Sequence, residues 1–434
     1  MTEAIPDIET KHPDEIRRLQ EQKLQELIAY TEAHSPFYKA RFKALGIKAG
    51  DIRSLDDLRR LPPTTKDDLH HHNEEFICVP RHQIIDYVTT SGTLGDPLTF
   101  ALTNVDLERL AYNECISLAC AGGSRNDIFQ LMTTIDRRFM AGMAYFLGLR
   151  KMGAGVVRVG NGMPEFQWDT IRRLNPTIAI AVPSFLIKLI EFAEQHGIDY
   201  KQCSIKKVIC IGEPIRNEDF SLNTLGRRIA DRWPLTLLST YASTEMGAAF
   251  TECEAAQGGH HHPELLIVEL LDDHNQPVKP GEAGELTVTT LGVEGMPLIR
   301  FKTGDICKAH EEPCSCGRTT LRLSPILGRK QQMIKFKGTS LYPPALYDVL
   351  NTVPYIKNFI VEVFTNDIGT DEITITIGAV DAPEHFDKEL KDHFRAKLRV
   401  APAIVLDTPE NIARKQFPEM SRKPITFIDR RVKL

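Results

Sequence analysis

No run of apolar residues in this chain is long enough to cross a bilayer, so no membrane partner is expected. Basic residues are not in excess either. Lys and Arg number 53 against 58 Asp and Glu, a formal net charge of −5 that lacks the footprint of a nucleic-acid binder. The opening residues, Met1-Thr-Glu-Ala-Ile-Pro-Asp-Ile-Glu-Thr-Lys11, contain no apolar stretch of the kind a secretion signal needs. Internal repeats and low-complexity segments are missing. Nine cysteines, an odd number scattered over a long chain, do not make a disulfide framework. These absences lead to a cytoplasmic protein whose thiols are reduced or bound to metal.

What is present is ordinary globular material. The 434 residues are 42% hydrophobic and 26% charged, enough for a large core and two or more domains. Pro13 to roughly Tyr38 reads as one amphipathic helix, with Ile16, Leu19, Leu24, Leu27 and Ile28 on one side. Val156–Val159, Thr177–Val182 and Lys207–Ile211 read as buried strands. Ser184–Gly197 reads as a helix with Ser184 as its N-cap. Such alternation predicts α/β layers around a mostly parallel sheet. Glu264–Leu271 and Gly284–Thr290, joined by a turn rich in Asp, Pro and Gly, read as a β-hairpin. After Gly328 the pattern changes. Helices at Leu346–Val353 and His385–Leu398 and strands at Phe359–Phe364, Glu372–Val380 and Ala403–Leu406 predict a small α+β domain. The expected fold is therefore α/β: a large multi-layer domain with a β-rich subdomain over residues 1–327, and a small α+β domain over 328–434.

Four segments carry the chemistry. Thr89-Thr-Ser-Gly-Thr-Leu-Gly95 combines hydroxyls with glycines, which let a backbone approach phosphate; the same residues also suit an exposed hairpin turn. Tyr241-Ala-Ser-Thr-Glu-Met-Gly247 follows a strand, Pro234–Thr240, and open α/β folds bind ligands at the carboxyl ends of strands. Its Glu245 is a hard oxygen donor of the type magnesium prefers, and the bland alternative is a core Tyr beside a solvated Glu. Thr303-Gly-Asp305 offers a carboxylate suited to ribose hydroxyls. Gly328-Arg-Lys-Gln-Gln-Met-Ile-Lys-Phe-Lys-Gly338 lies where the pattern changes.

In order and spacing, these segments resemble the AMP-forming acyl-CoA synthetases, and within them the phenylacetate–CoA ligase branch. The likeness runs from about Leu61, through the lead-in Leu61-Pro-Pro-Thr-Thr-Lys-Asp-Asp-Leu69, to Arg431. It implies that Ser91, Gly92, Thr93 and Gly95 hold the phosphates of ATP. Gly212, Glu213 and Pro214 would line the adenine, with Tyr241 stacked on it. Thr244 would meet phosphate, and Glu245 would hold Mg2+ as a catalytic residue. Asp305 would bind ribose, and Arg329 ribose or phosphate. The likeness further implies a hinge at Gln331, Lys337 and Gly338 beside coenzyme A, a mobile C-terminal domain, and Lys423 as the adenylation lysine. Its implied activity is ATP-dependent ligation of a carboxylic acid, aromatic as in phenylacetate, to coenzyme A through an acyl-adenylate. Loading of a carrier protein, or a non-catalytic nucleotide-binding role, are the alternatives, and a homodimer is allowed. The chain departs from the family pattern at Leu94, Asp96, Ile211, Gln331, Gln332 and Arg422. Where related ligases have a Gly-rich aromatic stretch, it has Thr133-Thr-Ile-Asp-Arg-Arg-Phe139, whose Arg137 and Arg138 either meet a polar acid or lie on the surface.

A second constellation is Cys253 and His260 with Cys314-Ser-Cys316. Three thiols and one imidazole make a closed tetrahedral Zn2+ set without a vacancy for substrate; buried free cysteines are the alternative. Similar elements occur in phenylacetate-ligase-like sequences, and the resemblance singles out His260 from His261 and His262. Cys307 and His310 stand near enough in sequence to substitute. His70-His-His72 reads as a solvated helix end and is assigned no metal.

Overall fold

The computed structural model describes residues 5–90, 98–336, 339–366, 370–383, 385–417 and 424–431. It separates into two compact units, one holding most of the chain through Pro325, the other built on Ile326–Leu434 with two short excursions, Asn223–Leu225 and Gly304–Ile306.

In the first unit, β1 (Ile84–Thr89) and β2 (Thr99–Thr103) form an antiparallel hairpin. β3 (Ile128–Leu131), β4 (Gly155–Arg158), β5 (Ile178–Ala181), β6 (Lys207–Cys210) and β7 (Thr236–Ser243) start a nine-stranded sheet, which β8 (Ala248–Glu252) and β9 (Gly259–His260) continue. β10 (Leu266–Leu271), β11 (Gly284–Thr290) and β12 (Phe301–Cys307) make a second sheet. β13 (Ala309–His310) and β14 (Arg322–Leu323) close the edge of the nine-stranded one, whose order is β13-β14-β9-β8-β7-β6-β5-β3-β4.

Strands β3 to β6 and the first half of β7 are parallel. Helices cover a parallel sheet on both faces, so its central strands are continuously apolar, and β5, Ile-Ala-Ile-Ala, is buried throughout. Phe129, Leu131, Ile178, Ile180, Ile209 and Leu238 share a core with Leu118, Tyr145 and Leu149 from the helices Asn104–Cys120 and Met140–Met152. Each such side chain contributes about 1.5–3 kcal/mol by leaving water. β7 then changes partner: from Thr240 to Ser243 it runs antiparallel to β8.

Local chemistry corrects three expectations. The first helix ends at His34, and a second begins at Pro36 with the Ser35 side chain accepting from the Tyr38 N–H. Proline disfavours helical backbone in the residue before it and cannot donate, so the break belongs there. Ser184 does not cap its helix from outside. The helix is Pro183–Gln195, and the Glu213 carboxylate accepts from the Ser184 N–H and hydroxyl at its first turn. β4 is an edge strand and only partly buried.

The second unit contains β15 (Gly328–Arg329), the small hairpin of β16 (Ile334–Phe336) with β17 (Thr339–Leu341), and the long antiparallel pair β18 (Ile356–Thr365) and β19 (Asp371–Ala379). β20 (Ala403–Asp407) adds parallel to β19, and β21 (Phe427–Asp429) adds parallel to β18. Alternating residues of the central strands, Val361, Val363, Ile373, Ile375 and Ile377, pack beneath Leu346, Leu350, Leu390 and Phe394 of two helices. No helix among the described residues is long and apolar enough to cross a membrane.

Candidate active site and metal centre

Tyr241 lies within β7, opposite Phe250, with ring centroids 6.1 Å apart. The loop proper is thus Thr244–Gly247, one strand pairing later than the sequence suggested. Gly212-Glu213-Pro214 follows β6, the parallel neighbour of β7, so both segments sit at the carboxyl side of the parallel strands. Gly212 has φ +77°, a left-handed backbone that glycine adopts without strain. The Glu213 carboxylate is already bound to Ser184, which makes it a support for the segment.

Glu245 is mostly buried, with 10% of its side chain exposed, and Lys66 Nζ stands 3.9 Å from its Oε1. Lys66 opens the helix Lys66–His72 after the capping box of Thr65 and Asp68. The preceding Thr64 is pinned to the segment that enters β12: its N–H donates to Arg300 O at 2.9 Å, and its hydroxyl donates to Ile299 O at 2.8 Å. Arg300 itself is buried in a two-pronged bond to Glu269 and donates to Leu61 O, fixing the lead-in segment. In the sequence Lys66 is one residue of that lead-in; its place beside Glu245 needs the tertiary fold.

A cleft open to solvent adjoins Thr244 and Glu245. Phe100, Leu110, Met140, Met246, Val293 and Met296 supply its apolar wall. Asp106 and Arg109 also reach it, but their charges are committed to backbone. Asp106 accepts from the Thr103, Glu294 and Gly295 N–H groups, and Arg109 donates to the carbonyls of Leu291, Gly247 and Leu265. Arg137 and Arg138 do not line the cleft; they are exposed, each with φ +57°.

In the second unit, Asp305 pairs with Arg329 across β12 and β15, Nε to Oδ1 3.2 Å. Gly328 admits no side chain, because a Cβ would stand 2.3 Å from the Tyr342 ring. Gln331 occupies the 3-10 turn Lys330–Gln332, and its carbonyl accepts from Arg431, which also binds Met333 O and the carboxylates of Asp371 and Asp429. Ser91, Gly92, Thr93, Gly95, Lys337, Gly338 and Lys423 lie outside the described residues, as do Leu94, Asp96 and Arg422.

Cys253, His260, Cys314 and Cys316 converge, their donor atoms all within 4.8 Å of one another. Cys253 Sγ is 3.6 Å from Cys314 Sγ, and Cys316 Sγ is 3.5 Å from His260 Nε2. The neighbouring histidines are engaged elsewhere: His261 donates to Leu266 O, and His262 lies between Glu9 and Ser117. Cys307 and His310 are not in this group. Burial pushes His260 down to about 3, so the ring is neutral and offers a lone pair. Burial pushes the Cys253 thiol up to about 12. It opposes ionisation of Cys316 too, but donors from Arg318 outweigh it and bring that thiol below its usual value. Buried thiols beside a neutral imidazole are the donor set a soft divalent ion would complete.

The chain matches the AMP-binding enzyme family over residues 17–295. A phenylacetate–coenzyme A ligase of Thermus thermophilus is 31% identical over 356 residues, 81% of this chain and 78% of that protein. The Aromatoleum evansii ligase of the same name is 27% identical over 444 aligned positions, 99% of this chain and 98% of its own. In fold, the chain resembles a crystal structure of 2-hydroxyisobutyryl-CoA ligase in its postadenylation state. The TM-score is 0.85 at 22% identity, covering 99% of this chain and 94% of that one. Parallel strands ending in the Thr244–Glu245 loop, a cleft beside that loop and a family match over more than half the length agree: the chain belongs to the AMP-binding enzymes, in their phenylacetate–coenzyme A ligase-like branch.

Proposed function

We propose that the chain joins a carboxylic acid to coenzyme A at the expense of ATP, with AMP and pyrophosphate as products. The observation that carries this reading is the placement of Glu245 and Thr244 at the rim of the apolar cleft, with Lys66 beside Glu245. A substrate carboxylate oxygen attacks the α-phosphorus of ATP; the bond to the β-phosphate oxygen breaks, leaving an acyl-adenylate and pyrophosphate. The coenzyme A thiol then attacks the acyl carbon, and AMP departs with the former carboxylate oxygen.

In this scheme Glu245 holds Mg2+, which spreads the charge of the phosphates, while Thr244 and the loop Ser91, Gly92, Thr93 and Gly95 bind them. Tyr241 stacks on adenine, with Gly212, Glu213 and Pro214 shaping that pocket. Asp305 and Arg329 serve ribose. Lys423 bridges carboxylate and α-phosphate in the first step, and Gln331 is the pivot that brings Lys337 and Gly338 to the second. The acid is one with an apolar body, such as an aromatic acetic acid, because Asp106 and Arg109, the charged groups in the described lining other than Glu245, are already bound to backbone. Cys253, His260, Cys314 and Cys316 hold structural Zn2+, which ties the β8–β9 edge to the loop before β14.

A panel of apolar and polar acids, assayed for pyrophosphate release with and without coenzyme A, tests the reading. Release with apolar acids and acyl-CoA formation on adding coenzyme A are expected. Release of orthophosphate and ADP instead overturns it. Lys423→Ala should lower adenylation about a hundredfold or more yet spare thioester formation from preformed acyl-adenylate. Equal loss in both steps would remove Lys423 from the chemistry.

A further inference from the structure

The cysteine–histidine centre is enclosed by residues that the active site does not use. The 3-10 turn Asp7–Thr10 carries Glu9, whose side chain is fully buried. Its two carboxylate oxygens reach different parts of the centre's surroundings. One is 2.5 Å from His262 Nδ1, in the same histidine run as the ligand candidate His260. The other accepts from Arg318 Nε at 2.5 Å, and Arg318 Nη1 lies 3.5 Å from Cys316 Sγ. Backbone contacts repeat the connection. The Thr319 N–H donates to Glu9 O at 2.8 Å, and the Thr319 hydroxyl donates to Lys11 O at 2.6 Å. Arg318 O in turn accepts from the Cys314 N–H at 2.9 Å, closing the Cys314–Arg318 turn that carries two of the thiols.

The charges follow a chain. Three thiolates around one divalent cation carry one excess negative charge. Arg318 is the cation beside it, and Glu9 is the anion that holds Arg318 in place. A metal ligand is oriented by the groups that bind it from outside the coordination sphere, and their loss typically weakens metal affinity about 10–100-fold. Any coupling of this kind is reciprocal: whatever the turn contributes to metal binding, metal binding contributes to docking of the turn.

We propose that Glu9 is a positioning residue for the metal centre, so that the N-terminal segment 7–11 and the metal ion hold each other in place. This rests on the Zn2+ assignment above. Without metal, the Cys314–Arg318 turn loses the cation that its thiols surround, and the Glu9 carboxylate loses a fixed Arg318. Segment 7–11 then undocks along with residues 314–319.

The test uses the full chain. Zinc per chain is measured first, then its release to a chromogenic chelator is timed for wild type, Glu9→Gln, Thr319→Val and the control Asp14→Asn. Hydrogen exchange of peptides spanning 5–12 and 314–320 is followed before and after chelation. Glu9→Gln should speed release about tenfold or more. Thr319→Val, a milder change at the rim that serves if Glu9→Gln folds poorly, should give a smaller acceleration, and Asp14→Asn none. Chelation of wild type should raise exchange in both peptides together. Wild-type release rates in both variants, or unchanged exchange in 5–12 after chelation, overturn this proposal while leaving the zinc assignment standing. A chain that purifies without zinc overturns both.

Discussion

Glu245, largely buried, and Glu9, wholly buried, are both carboxylates of the first unit, and they are held in opposite ways. Glu245 has one cation at 3.9 Å, on a loop that borders an open cleft. Glu9 has a histidine and an arginine, each at 2.5 Å, inside a closed cluster. A carboxylate that must accept an incoming Mg2+ cannot be saturated beforehand, because each existing bond would have to be broken on binding. One that fixes a turn gains from every bond it makes. The comparison separates residues that act on a ligand from residues that act on the fold.

Substitutions can break that separation. The largest effect is expected at the metal centre: Cys314→Ser with Cys316→Ser should abolish zinc content and lower Tm steeply, since metal affinity at a structural site is folding free energy. Turnover of the protein that remains folded should change little. Full zinc content in this double variant, or lost turnover at unchanged Tm, would place the cluster with the chemistry instead. Glu245→Gln should do the reverse, cutting pyrophosphate release about a hundredfold with Tm nearly constant. Lys66→Met should cost less, about tenfold, and Lys66→Arg should restore part of the rate. If Lys66→Met melts early, its role is structural.

A third acid sharpens the comparison through stability rather than rate. Glu114, between the helices Asn104–Cys120 and Met140–Met152, is pushed up to about 8 by burial, against a partial offset from the Asn113 amide. Its neighbour Gly148 has room for no side chain, as a Cβ would lie 2.4 Å from the Glu114 Cβ. Below the usual value of 4.5 the carboxyl is neutral in both folded and unfolded chains. As pH rises from there through about 8, the unfolded chain ionises first, so folding loses stability. Glu114→Gln should therefore stabilise the protein more at pH 8 than at pH 5, by an amount on the order of 2 kcal/mol. An equal effect at both pH values would mean the carboxyl is not held neutral.

The sequence makes legible what is periodic or chemically distinctive. The apolar runs of β5 and β6, the hairpin of β10 and β11, and the alternation in β18 and β19 all formed where the pattern placed them. The convergence of three thiols and an imidazole was readable because Cys-x-Cys and Cys…His elements at short spacing suit a common centre. Readings failed where a partner distant in sequence decides the outcome. The reach of β7 through Tyr241 depends on β8, and the cap of the helix Pro183–Gln195 comes from Glu213. β21 is too short to show a period, and it exists because β18 offers it an edge. Glu9 lies 253 positions from His262, and no local pattern relates them. The same holds for Lys66 and Glu245, 179 positions apart, which the tertiary fold brings to 3.9 Å with Thr64 bonded to Ile299 O.

The central claim is that a carboxylate oxygen bonds directly to the α-phosphorus. Oxygen-18-labelled carboxylic acid, turned over with Mg2+, ATP and coenzyme A, tests it by mass spectrometry of the products. The account predicts that AMP carries one labelled oxygen and the acyl-CoA retains the other. Unlabelled AMP, or label in orthophosphate accompanied by ADP, would contradict it.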